Sequence, residues 1–127
     1  MTEPDVGTAI DAALALVDAF TERFNARDAA GMDALLHFPH VIILAERMIV
    51  WNAPGALPSE FFNELIEAGW DRSAYLDRHV VLATDRKVHL IVDYTRNRSD
   101  GSVIGRHQNL WIITCEGQRW GIKLRSY

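Results

Sequence analysis

Along the first quarter of the chain, apolar residues recur every three or four positions. Ile10, Ala13, Leu14, Val17, Phe20 and Phe24 make one stripe, which predicts an amphipathic helix over residues 9 to 25. Thr8, with Asp11 three residues later, resembles a capping box at its start. Asp28 is placed to cap a second, shorter helix through Leu36, with Met32, Leu35 and Leu36 turned inward. Pro39 cannot continue that helix and pushes Phe38 toward an extended backbone. The spacing therefore has His37 closing the second helix and His40 opening the first strand.

Beyond Pro39 the period changes from helical to extended. "VIILAERMIVW" is rich in β-branched residues and reads as two strands, or as one interrupted between Ala45 and Arg47. "NAPGALP" is a loop, after which Ser59 is placed to cap a third helix, "EFFNELIEA", that stops at Gly69. From Ser73 onward "AYLDRHVVLAT", "KVHLIVDYTRN", "SVIGRHQNLWIIT" and "RWGIKLRSY" read as strands. The turns between them fall at Thr84-Asp85-Arg86, Asp100-Gly101 and Glu116-Gly117. This order predicts a single α+β domain over residues 1–127, with three helices packed on one face of an antiparallel sheet.

Side chains alternate along a strand and directly opposed residues share a face, so the turns also predict which residues point inward. Centring the last turn on Glu116-Gly117 pairs Trp111 with Ile122, Asn109 with Leu124 and His107 with Ser126 on the apolar, inward face. Arg106, Gln108, Arg119, Lys123 and Arg125 then point outward. Centring the preceding hairpin on Asp100-Gly101 aligns Tyr94 with His107, Val92 with Asn109 and Leu90 with Trp111, all inward, and puts Arg96 opposite Gly105 near the open end. A bulge at Gly101 would reverse the faces of residues 88 to 96. The outward set includes His89, Asp93 and Thr95. It also includes Ile91, Leu110 and Ile112, an apolar group that points to a homodimer through the outer sheet face.

Composition narrows the function classes. Hydrophobic residues make up 49% of the 127 and charged residues 24%, the balance of an ordinary globular domain. The net charge of −4 and the lack of a basic stripe beyond the cluster Arg96, Arg98 and Arg106 argue against a nucleic-acid partner. Asp5, Asp11 and Asp18 occupy the amino-terminal stretch without a basic start, which argues against a signal peptide or a membrane span and for a cytoplasmic location. Cys115 is the single cysteine, so there is no internal disulfide and no multi-cysteine metal site. His37 and His40 flank Phe38-Pro39, cannot share a helix face and lack a third ligand, so no metal and no cofactor is expected.

The candidate chemistry lies on the predicted inward face. His107, beside Tyr94 on an apolar wall, is placed to act as acid/base or as a hydrogen-bond partner; the bland alternative is a satisfied core histidine. Tyr94 and Asn109 either orient a polar ligand or bond to backbone and water. Arg96 is either a carboxylate clamp at the pocket mouth or a surface arginine at a hairpin. His40 is placed at the rim. Trp111, Phe20 and Phe24 would line the pocket as a secondary part of packing the core.

The stretch "AFTERFNARDAAGMDALLHFPHVIIL" resembles the helix, helix and first strand of the NTF2-like superfamily. "VHLIVDYTRNRSDGSVIG" followed by "RWGIKLRSY" is similar to the closing strands of its SnoaL-like uncharacterised branch. The resemblance implies a cystatin-like cone, a strongly curved sheet wrapped around the first helix, a pocket between them, and often a homodimer through the sheet. It specifies fold and not chemistry, because the superfamily includes isomerases, dehydratases, cyclases, transport factors and association domains. Ketosteroid isomerase in that superfamily uses a carboxylate base with a tyrosine and a protonated acid as oxyanion donors. Those residues do not carry over, since Asp93 points outward and the first helix has Phe20 and Phe24 but no tyrosine. The expectation is a domain that binds a small apolar or mixed-polarity ligand. If it is an enzyme, cofactor-independent isomerisation or dehydration by proton transfer would run through His107, with Tyr94 or Asn109 as donor. The alternative is a non-catalytic homodimeric association or ligand-sensing module.

Overall fold

The computed structural model describes residues 5–127; the first four residues of the predicted domain lie outside the described residues. The elements are α1 (Val6–Asn25), α2 (Ala29–Asp33), β1 (Leu36–Leu44), β2 (Arg47–Trp51), α3 (Phe61–Glu67), β3 (Arg72–Ala83), β4 (Lys87–Asn97), β5 (Val103–Glu116) and β6 (Arg119–Ser126). All six strands form one sheet in the order β2-β1-β6-β5-β4-β3. It is a curved α+β cone of the predicted kind. Its pairings are antiparallel except that β1 and β6 run parallel, because β6 returns beside β1 only after the whole chain between them has crossed the sheet.

The first helix starts earlier than its stripe predicts. Asp5 is the cap, accepting from the Thr8 amide at 2.7 Å, so the Thr8 and Asp11 box is not used. Asp28 caps α2 as expected, accepting from the Gly31 amide. The helix nevertheless ends at Asp33 and not at Leu36, because Leu36 pairs with Ile122 of β6. Sheet pairing overrides local helix propensity there. His37 is therefore a strand residue, and His40 is the fifth residue of β1 and not its first. The peptide bond between Phe38 and Pro39 is cis. Helix α3 is capped at Glu60, not Ser59, and makes no side-chain cap bond. It ends as predicted at Gly69, whose φ of 100° supports a Schellman closure: Trp70 bonds to the Leu65 carbonyl and Gly69 to that of Ile66.

The core lies between α1 and the concave face. Ala9, Ala13, Val17 and Phe20 from the helix meet Val88, Leu90, Val92, Trp111, Ile113 and Ile122 from the sheet. Two alanines one turn apart let the helix axis approach the strands closely, and the side chains enlarge toward Phe20, where the cone widens. Asn25 fixes that wide end. Its side-chain amide donates to the Ser73 carbonyl at 3.0 Å and accepts from the Ser73 amide at 2.8 Å, reproducing a strand partner for β3. No described helix is long and apolar enough to cross a membrane.

The hairpin of β4 and β5 has the predicted register: Tyr94 opposite His107, Val92 opposite Asn109, Leu90 opposite Trp111 and Arg96 opposite Gly105. The last hairpin does not. Its turn lies at Gly117-Gln118, with Gly117 at φ 67°, so Ile113 faces Ile122. That shift of two residues leaves the faces unchanged. A bulge at Lys123 then adds one residue, which reverses every side chain beyond it. Arg125 consequently turns inward opposite Trp111, Leu124 turns away, and Ser126 pairs with Leu110 and not His107. On the convex face Asp93 is held bidentately by Arg106, at 3.0 and 2.5 Å. Ile91, Leu110 and Ile112 are half-buried there, and more exposed apolar side chains include Met48 and Val50 of the edge strand β2, Leu76, Val81 and Leu82 of the edge strand β3, and Val103 at the start of β5.

Candidate functional site

The cone is not filled. Between α1, α3 and the concave face lies a cavity of about 480 Å³, within the 300 to 1,000 Å³ common for small-molecule sites. Its walls are mainly apolar: Phe20 and Phe24 of α1, Ile42 and Leu44 of β1, Ile49 and Trp51 of β2, Leu57 of the loop, Phe61 and Leu65 of α3, Val92 of β4 and Trp111 of β5. An aromatic cluster closes the wide end. Phe24 meets the rings of Phe61, Phe62 and Trp70 at centroid distances of 5.8, 5.3 and 5.3 Å, all edge to face.

Two polar stations interrupt this wall. At the first, Asn109 donates its amide to the Tyr94 hydroxyl at 3.2 Å, and the hydroxyl bonds to no acceptor among the described residues. Burial pushes the Tyr94 phenol above its ordinary range, so it stays protonated and able to donate. Arg96 lines the same end, and no acceptor among the described residues meets its buried Nε. Tyr75 also lines the cavity, but its hydroxyl donates to the Val17 carbonyl at 2.5 Å and accepts from Thr21, which holds it as a brace on α1.

Arg125 makes the second station, and it is only 4% exposed. Its Nε donates to His40 Nε2 at 3.1 Å, and its Nη1 donates to the Tyr127 hydroxyl at 3.0 Å. The other nitrogen of His40, Nδ1, lies 3.0 Å from the Ile122 carbonyl. A carbonyl can only accept, so the His40 proton sits on Nδ1 and Nε2 is the acceptor for arginine. Burial, reinforced by the Arg125 charge, pushes His40 down to about 3, so the ring is neutral at any physiological pH. Phe20, Trp51 and Tyr127 present ring faces to the guanidinium at 4.9, 5.7 and 5.9 Å.

Of the residues singled out in the sequence, Tyr94, Arg96, Trp111, Phe20 and Phe24 converge on the cavity. His107, Asn109 and His40 do not line it. His107 stacks on the Tyr94 ring at 5.3 Å and is pushed below the ordinary histidine range by burial and by Arg96. Asn109 acts through the Tyr94 hydroxyl, and His40 lies fully buried behind Arg125. Arg125 and Tyr127, which form the second station, are among the lining residues that sequence reasoning missed, as is Tyr75. An unbulged alternation of Ile122 and Leu124 reads as an inward pair and hides the reversal at Lys123. His37, the companion of His40, is a structural clamp: Nε2 bonds to the Thr114 and Arg119 carbonyls at 3.0 and 3.1 Å, and Nδ1 accepts from Arg119 at 3.0 Å. Its ring lies over Gly121, where an added Cβ would come within 2.8 Å. Among the described residues no group of three or more His, Cys, Asp or Glu side chains is placed to hold a metal ion.

A family model described as "NTF2-like protein (DUF6841)" matches residues 11–124. No curated protein matches the sequence. Among solved structures, the chain is similar to an NTF-2 like protein of unknown function from Shewanella oneidensis, with a TM-score of 0.67, 9% identity, and coverage of 93% of this chain and 97% of that one. It is also similar to a protein of unknown function with a cystatin-like fold from Nostoc punctiforme, with a TM-score of 0.67, 12% identity, and coverage of 91% and 86%. A hexachlorocyclohexane dehydrochlorinase from Novosphingobium barchaimii matches at a TM-score of 0.66 and 14% identity, covering 93% of this chain and 84% of that one. At these identities the likeness is one of fold.

Proposed function

The chain belongs to the NTF2-like family, and from that premise we propose that it is a small-molecule-binding domain whose cone holds one ligand of mixed polarity. The observation that carries the proposal is the open cavity of about 480 Å³, in which an aromatic and aliphatic wall is interrupted by Tyr94, Arg96 and Arg125. Packing alone would fill such a space with side chains. Polar groups turned into an apolar hollow fix the orientation of a bound molecule.

Binding, storage or sensing fits this arrangement better than proton transfer through His107. A general base must lie within hydrogen-bond reach of the proton it takes, directly or through one water. His107 lies against the Tyr94 ring and not among the lining residues, and the lining carboxylate is Glu64, exposed on α3. The same reading pairs two copies through the convex face around Ile91, Leu110 and Ile112, and a monomer in sedimentation at micromolar concentration would remove that part of it.

The pocket is tested with an uncharged fluorescent probe, N-phenyl-1-naphthylamine. One molecule per chain is expected to bind with enhanced fluorescence, and binding is expected to be lost in Leu44→Trp, which places an indole on the same face of β1 as Ile42, in the cavity. Absence of binding to the wild-type protein, or binding unaltered by Leu44→Trp, would overturn the reading.

A further inference from the structure

The chemistry of the ligand can be taken further, on the premise that the cavity is a ligand site. We propose that the cavity selects a small organic carboxylate, its carboxylate on the guanidinium of Arg125 and its flat apolar body between Phe20, Phe24, Trp51 and Trp111.

The argument starts from a charge without a counter-charge. Arg106 and Arg78 are each paired with an aspartate, Asp93 and Asp18. Arg125 is the most buried of the three, yet no carboxylate among the described residues lies within ion-pair distance of it. The imidazole it donates to, His40, is neutral. Taking a guanidinium out of water without a partner costs several kcal/mol. The ring faces of Phe20, Trp51 and Tyr127 offset part of that cost and hold the plane in place. They cover its faces, however, and leave its N–H edge unanswered.

That edge has capacity to spare. Of the five N–H groups, one on Nε goes to His40 and one on Nη1 to Tyr127, and Nη2 bonds to nothing among the described residues. A carboxylate matches such a free edge with two parallel charge-assisted bonds. The cavity therefore offers an unpartnered charged donor at Arg125 Nη2 against one exposed lining acceptor of full charge, Glu64. A monoanion balances the buried charge of Arg125. A phosphate dianion would bring a second charge into an apolar wall that has no second buried cation beside the first.

Two probes separate the charge from the shape. 2-Naphthoate and 2-naphthamide share a ring system and nearly the same volume, and only the first is an anion. By calorimetry at pH 7, the wild-type protein is expected to bind naphthoate about tenfold or more tighter than the amide. Arg125→Met removes the charge while nearly keeping length; it strands no counter-charge, because His40 is neutral, and leaves the buried His40 Nε2 without its donor. This variant is expected to lose the preference, its affinities for the two probes falling within about twofold of each other. Equal affinities in the wild type, a reading that needs no variant, would overturn the proposal, and so would a preference that survives in Arg125→Met. Binding of neither probe, or of N-phenyl-1-naphthylamine, would overturn the ligand pocket itself. Binding of the neutral probes without a preference for the acid would overturn only the carboxylate.

Discussion

The two polar stations of the cavity are built by opposite means. Around Tyr94, a pair of neighbouring strands in simple antiparallel register brings Asn109 and His107 to one phenol, and each contact follows from alternation along β4 and β5. Around Arg125, a bulge in β6 and a parallel neighbour, β1, bring together His40, Ile122 and Tyr127, residues from opposite ends of the chain. The phenol and amide of the first station are neutral, and its Tyr94 is half-buried. The second is a buried cation held by a neutral imidazole. Removing a part should therefore be costly at Arg125 and mild at Tyr94.

The largest effect is expected from His40→Leu. The side chain is fully buried, and it satisfies both the Ile122 carbonyl and Arg125 Nε. A leucine of similar size leaves a buried carbonyl and a charged donor without partners, a loss of about 3 kcal/mol. Urea unfolding followed by tryptophan fluorescence should show a lower midpoint with an unchanged slope. A loss below about 1 kcal/mol would mean that Arg125 does not depend on His40.

Acid should act on the same station. His40 titrates near 6.5 in the unfolded chain and is pushed down to about 3 in the fold, so between those values the unfolded state binds a proton that the native state refuses. Stability is then full above pH 6.5 and falls as pH drops toward 3, by roughly 2–3 kcal/mol between pH 6.5 and 4.5. His89 and His107 are lowered too, with burial as the leading cause in each, and being half-buried they add less in the same direction. The His40→Leu protein should show a much flatter profile over this window. An equal acid slope in both proteins would assign the effect to other groups.

This asymmetry also explains what could be read from the sequence. The helical stripe ending in Phe20 and Phe24, the turns before β4 and β5 and the Tyr94-to-His107 register depend on periods of 3.6 and 2, and they are legible residue by residue, whereas the last turn lies one residue beyond its predicted centre. The Asp28 cap and the Gly69 stop were legible too. Arg125 was not legible. Its inward aim depends on one extra residue at Lys123, in a strand whose Ile122 and Leu124 look like regular alternation, and nothing such as a glycine marks the bulge. The early end of α2 was hidden for a related reason, since Leu36 obeys a partner 86 residues later and not its helical neighbours. Periodicity reports what a segment does alone, and a parallel partner far along the chain leaves no local trace.

The smallest effects should come from the legible station. Tyr94→Phe removes a hydroxyl that accepts from Asn109 and faces the cavity, leaving one buried amide short of a partner, for about 1 kcal/mol of stability. His107→Gln should cost less still, within about 0.5 kcal/mol, because the ring is half-buried and makes a stacking contact but no hydrogen bond among the described residues. Binding separates the two more sharply than stability does. The Tyr94 hydroxyl has its proton to offer to a bound molecule, so its loss should weaken several-fold, by about one hydrogen bond, the binding of 6-hydroxy-2-naphthoate, which carries a second acceptor at the end away from its carboxylate. His107 reaches the cavity only through the Tyr94 ring, so His107→Gln should leave that affinity within about twofold. A large fall in binding for His107→Gln with Tyr94→Phe nearly unchanged would reverse the order and make the imidazole, not the phenol, the group that meets the ligand.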